Sequence, residues 1–119
     1  MVALTEQYVK AKTRQDRLDD IRNLNLWGQE LSDVSLLQTM PNLEVLSLSV
    51  NSISTLKEFR HCARLTELYL RKNMVADLNE VRYLAGLKDL RVLWLCDNPC
   101  ADHPHYRLLI AKCARRRRR

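Results

Sequence analysis

Glycine is scarce in this chain, with two in 119 residues, so few stretches of backbone could approach a phosphate closely. A glycine-rich phosphate loop, a nucleophile elbow and a helical His-Glu-x-x-His are all missing. The acids Asp19-Asp20 and Asp77 to Glu80 stand apart from any base or nucleophile and read as solvated turns and caps. These absences point away from catalysis, and no cofactor is expected. No apolar run approaches the ~18 to 20 residues that a bilayer-crossing helix needs, and the segment from Met1 to Glu6 lacks the charged and apolar parts of a secretory leader. The expectation is an intracellular protein with no membrane partner.

An evenly spread positive charge is also lacking. Of the 20 Lys and Arg, five are Arg115, Arg116, Arg117, Arg118 and Arg119, leaving 15 against 14 Asp and Glu in the rest. A nearly neutral body argues against a basic stripe for nucleic acid. Salt-sensitive, non-specific binding of RNA or acidic surfaces is expected only through that arginine run, whose mutual repulsion should fray the end. Cys62, Cys96, Cys100 and Cys113 are even in number, but without a leader they are expected as reduced thiols.

What is present is a phrase repeated four times. Ile21-x-x-Leu24-x-Leu26, Leu43-x-x-Leu46-x-Leu48, Leu65-x-x-Leu68-x-Leu70 and Leu90-x-x-Leu93-x-Leu95 recur, with Asn51, Asn73 and Asn98 each three residues after the last leucine. The middle of each phrase alternates with period two, as a strand does. Leu24, Leu26, Leu31 and Val34 should face inward, then Leu46, Leu48, Ile53 and Leu56, then Leu68, Leu70, Val75 and Leu78, and last Leu93 and Leu95. One repeat alone leaves a naked apolar face, so the repeats must stack. The fold class expected is α/β: a right-handed leucine-rich-repeat solenoid with parallel strands on the concave face, short helices or turns on the convex face, and helical caps at both ends.

Asn51, Asn73 and Asn98 should form a ladder, because an amide offers a donor and an acceptor to backbone groups stranded between turns. Gln29 occupies the corresponding place in the first repeat, where pairing is needed on one side only. The first two repeats, Ile21 to Asn42 and Leu43 to Arg64, run 22 residues each, and Leu65 to Asp89 runs 25, the extra length falling in the third return. Ser54 to Phe59 fits a capped turn, and Leu78 to Leu84 a fuller helix ending at Gly86. Residues 1–20 read as an N-terminal helical cap opened by Thr5, 21–98 as four repeats, and 99–119 as a C-terminal cap with a helical pattern over Tyr106 to Lys112.

The 22-residue period and the Asn98-Pro99 to Tyr106-Arg107 ending resemble the SDS22-like leucine-rich repeats with their C-terminal cap. Leu24-Asn25-Leu26-Trp27-Gly28, Met40 to Val45, Leu48 to Leu56 and Leu90 to Leu95 further resemble the N-terminal domain of a family of cilia- and flagella-associated repeat proteins. The Leu48 to Leu56 string is the most specific, since Ser49 and Val50 are not dictated by the repeat. The resemblance implies a non-enzymatic scaffold in cilium assembly at the basal body, part of the cytoskeleton. It also implies a NIMA-related kinase as partner and a separate helical C-terminal region that oligomerises. The family's cap closes with Leu-Asp after its basic stretch, so the chain is expected to stop at or just before the end of its cap. Similar repeats serve in a spliceosomal subunit and in regulators of a phosphatase or an axonemal motor, which stand as the alternative.

Outward positions of the strands supply the candidate binding face: Asn23, Asn25 and Trp27; Val45, Ser47 and Ser49; Glu67, Tyr69 and Arg71; Val92, Trp94 and Cys96. Trp, Tyr and Arg anchor interfaces because they bury large rigid areas and keep a polar handle. A partner's helix or extended peptide is expected across Trp94, Tyr69, Arg71 and Val45. The plainer reading has Trp27 pack on the N-terminal helix and Trp94 on Tyr69, with no partner. Cys100-x-x-His103-x-His105 with Cys113 offers two thiols and two imidazoles, but the spacing matches no strong zinc template, and a turn explains it without metal.

Overall fold

The computed structural model describes residues 2–107. The expected helical pattern over Tyr106 to Lys112 is described only at Tyr106 and Arg107, and Cys113 and Arg115 to Arg119 lie outside the described residues.

Four three-residue strands follow the four leucine phrases: β1 at Asn23–Asn25, β2 at Val45–Ser47, β3 at Glu67–Tyr69 and β4 at Val92–Trp94. They form one parallel sheet in the order β1-β2-β3-β4. Leu24, Leu46, Leu68 and Leu93 align across it. Such short strands are held because each repeat adds a second rung beyond the turn: Ser52 N–H donates to Leu31 C=O, Met74 N–H to Ile53 C=O and Cys100 N–H to Val75 C=O, all at 2.8 Å. The fold is a right-handed leucine-rich-repeat solenoid of the α/β class, the hand being the one that parallel crossovers adopt.

The inward leucines make a continuous spine. Leu26, Leu46, Leu48, Ile53, Leu56, Leu68, Leu70 and Val75 are 0% exposed. Met40, Phe59, Cys62 and Leu84 extend it beneath the convex side. Leu93 differs: it is only partly buried, because β4 is an edge strand with no described strand beyond it. Burial without a compensating charge pushes the Cys62 thiol up to about 12.

The returns are 3-10 helices over Ser35–Thr39, Lys57–His61 and Leu78–Leu84. The turn expected at Ser54 to Phe59 sits later in the chain; its N-cap is Leu56, with no side-chain cap, while the Thr55 hydroxyl one residue ahead accepts from Lys57 N–H at 3.3 Å. The third return is longer, but it is 3-10 and stops at Leu84, two residues short of the expected Gly86. Its cap residue Ala85 keeps a right-handed backbone, so no glycine C-cap forms. The tighter 3-10 winding suits returns that must cover the spine in a few residues.

At the front, Thr5 caps α1 (Glu6–Thr13) by accepting from Tyr8 N–H at 3.1 Å, and the helix buries Val9. Ahead of it the chain is extended, with Leu4 N–H donating to Asp33 C=O at 2.9 Å and Ser32 N–H to Val2 C=O at 2.9 Å. No helix among the described residues is long and apolar enough to cross a membrane.

Candidate functional site

The sheet's outer surface is a grid set by the register. One row runs Asn23, Val45, Glu67, Val92, and the next runs Asn25, Ser47, Tyr69, Trp94. Strands about 4.8 Å apart bring each row's side chains into contact reach. Trp27, Arg71 and Cys96 are exposed just past their strands, whereas Ser49, named with them from the sequence, is 8% exposed.

The grid is uneven. Asn25 and Ser47 form a small polar floor, while Tyr69 and Trp94 rise beside it as an edge-to-face pair, ring centres 4.8 Å apart and planes at 88°. The Tyr69 hydroxyl donates to Glu67 Oε1 at 2.6 Å, and that bond to a carboxylate holds the phenol's pKa above its usual value. Trp94 remains 51% exposed despite its neighbour, so the pair packs without using up the indole surface. Trp27 is 59% exposed at the opposite end of the sheet, and its backbone N–H donates to Asn25 Oδ1 at 3.1 Å. An open cavity of about 290 Å³ lies beside β4, lined by Arg71, Leu93, Trp94, Leu95, Cys96 and Tyr106.

Ion pairs stitch this face from repeat to repeat. Arg22 meets Glu44 at 2.7 Å, Arg91 meets Glu67 at 3.6 Å and Arg71 meets Asp97 at 3.1 Å. Arg22, Glu44, Arg91 and Asp97 were absent from the sequence-based face. The available signal was opposite charge at the same repeat position one period apart, as with Arg22 and Glu44.

The ladder asparagines lie behind the grid. Asn51 Oδ1 accepts from Gln29 N–H at 3.1 Å and Leu31 N–H at 2.8 Å, and its Nδ2 donates to Leu26 C=O at 3.0 Å and Leu48 C=O at 2.8 Å. Asn73 accepts from Ile53 N–H at 3.0 Å and donates to Leu48 and Leu70 C=O. Asn98 accepts from Val75 N–H at 3.0 Å and donates to Leu70 and Leu95 C=O. Gln29 does not take this place: it is exposed, and its Nε2 reaches only Trp27 C=O at 3.2 Å. The residue before each ladder asparagine is left-handed, with φ 60° at Val50, 60° at Lys72 and 58° at Asp97, and the matching residue of the first repeat is Gly28 at 66°. A β-branched Val there carries roughly 1–2 kcal/mol of strain.

Cys100 is buried under the last turn, while His103 and His105 are exposed with ring centres 5.4 Å apart. Among the described residues no three His, Cys, Asp or Glu side chains gather as they would around a metal ion.

Stacked leucine turns, an asparagine ladder and an open sheet face define a leucine-rich-repeat protein, and a leucine-rich-repeat family model matches residues 19–75. The chain shares the repeat and fold of that family. It is 49% identical over 111 residues to mouse Cilia- and flagella-associated protein 410, covering 92% of this chain and 45% of the relative. Against the human protein of that name it is 50% identical over 111 residues, covering 92% and 43%. The chain thus spans less than half the length of these relatives. Among solved structures it is similar to a chain of the Drosophila melanogaster SNF/U2A' complex, with TM-score 0.69 and 21% identity over 99% of this chain and 82% of that one. That likeness is one of fold.

Proposed function

We propose that this chain is a non-enzymatic protein-binding module of the cilium or flagellum, acting at the basal body, that holds a partner protein on its concave face. The half-exposed Trp94, braced edge-on by Tyr69 over the small Ser47 floor, carries this reading. A rigid aromatic held in place loses little side-chain freedom when a partner covers it. Val45, Ser47, Glu67, Tyr69, Arg71, Val92 and Trp94 would form the contact, with Trp27 at its far edge. The likeness to Cilia- and flagella-associated protein 410 supports the ciliary setting, and a NIMA-related kinase is the first partner to test. For the whole protein, we take oligomerisation to reside in the separate helical C-terminal region that the resemblance implies.

Proximity labelling in ciliated cells should recover basal-body proteins with the wild-type chain and lose them with Tyr69→Ala/Trp94→Ala. Loss should exceed about tenfold, as expected when central aromatic anchors are truncated. A double variant that folds and captures the same proteins would refute the concave-face reading. RNA binding that survives neutralisation of Arg115 to Arg119 would favour the ribonucleoprotein alternative.

A further inference from the structure

The arginines of the sheet face and those of the convex side are used differently. Arg22, Arg71 and Arg91 each meet a carboxylate, as the distances above show. On the convex side the acids are turned to other work. Asp77 Oδ1 accepts from Asn79 N–H at 2.9 Å, and Glu80 Oε1 accepts from the Thr55 hydroxyl at 2.8 Å and from Leu56 N–H at 2.9 Å. Glu58 lies 3.9 Å from His61. Arg60 and Arg82 are exposed and make no ion pair among the described residues.

These two guanidiniums are nevertheless held in place. Both lie against the half-buried Tyr83, with guanidinium carbons 6.0 Å and 4.6 Å from the ring centre. Arg60 Nη1 donates to Lys57 C=O at 2.6 Å, Arg82 Nη1 to Asn79 C=O at 3.1 Å, and Arg82 Nη2 to the Tyr83 hydroxyl at 3.2 Å. A guanidinium has five N–H donors, so each keeps several unspent in a fixed orientation. Two forks fixed about one aromatic ring, paired with no carboxylate of their own repeats, keep donors of the kind that match a carboxylate.

We infer that the Arg60–Tyr83–Arg82 cluster is a second docking site, distinct from the concave face, for an acidic segment of a partner protein. Charge complementarity selects this occupant. Alternate carboxylates of an extended Asp/Glu-rich segment stand about 7 Å apart, and guanidiniums 6.0 Å and 4.6 Å from one ring centre are near enough for such a segment to meet both.

The test is fluorescence anisotropy of a labelled poly-glutamate peptide with the full chain, using poly-glutamine as control. Poly-glutamate should bind, and weaken with added salt. Binding should persist when Arg115→Gln through Arg119→Gln remove the terminal charge, and should fall about tenfold or more in Arg60→Gln/Arg82→Gln. The single change Arg82→Glu should act in the same direction. Tyr69→Ala/Trp94→Ala should leave peptide binding intact, and Arg60→Gln/Arg82→Gln should leave capture on the concave face intact, which separates the two sites. No binding by the wild-type chain, loss of binding with the terminal arginines, or no effect of the convex changes would each overturn the inference. Tighter binding of an RNA oligonucleotide or a phosphopeptide through the same two arginines would overturn the acidic segment as occupant.

Discussion

Each strand presents two faces only a side chain's width apart, and they obey different rules. On the inner face Leu46, Leu68 and Leu70 have no exposed surface and one identity, because side chains stacked directly beneath the sheet must match their neighbours in size. On the outer face Ser47, Tyr69 and Trp94 share a row yet differ in size, polarity and exposure. Stability constrains the first face, while the second is free to vary with what it must meet.

The strongest way to break this contrast is to remove inner atoms. Leu70→Ala should cost ~2 to 5 kcal/mol in denaturant unfolding, the range for emptying a closed core site. Leu93→Ala should cost distinctly less, since its side chain is only partly buried at the sheet edge. Equal losses would mean that the edge is as closed as the centre. Next comes the ladder. Asn73→Ala strands Ile53 N–H and the carbonyls of Leu48 and Leu70, and should cost roughly 1 to 3 kcal/mol.

The third test uses protons. Cys62 keeps its thiol proton in the fold up to about 12, whereas the unfolded chain releases it near the ordinary value of 9.0. Between those values the native state binds more protons, so stability should fall as pH rises, by up to about 1.4 kcal/mol per unit from this group. Cys62→Ala should flatten that part of the stability profile; an unchanged slope would mean that the thiol is not buried as described. The smallest effect sharpens the contrast from the outer side. Ser47→Ala should change unfolding free energy by less than about 0.5 kcal/mol, and a loss comparable to that of Leu70→Ala would reverse the two faces.

The spine was legible because it repeats: Leu68 and Leu70 follow from a two-residue alternation that any stacked strand imposes. The same alternation turns Tyr69 and Trp94 outward. It carries no information on how they touch, and the edge-on contact and the Tyr69 hydrogen bond to Glu67 depend on register and rotamer. Leu93 was read as a full member of the spine because its phrase is intact, yet burial there depends on what lies beyond β4, which the phrase does not encode. The returns were read less well. The propensities of Ser54 to Phe59 and Leu78 to Leu84 favour an ordinary helix or turn, whereas the spacing between stacked coils imposes tight 3-10 winding.

The third coil is three residues longer than its predecessors, yet Tyr69 still faces Trp94 as Ser47 faces Tyr69. The surplus falls between β3 and β4 in the return, whose 3-10 segment Leu78–Leu84 is two residues longer than the five-residue segments before it. The return therefore works as an expansion joint: its length can grow or shrink without shifting the sheet. The two proposed docking sites lie on opposite sides of this coil, so each can be retuned independently, one by changing letters at fixed length and the other by changing length itself.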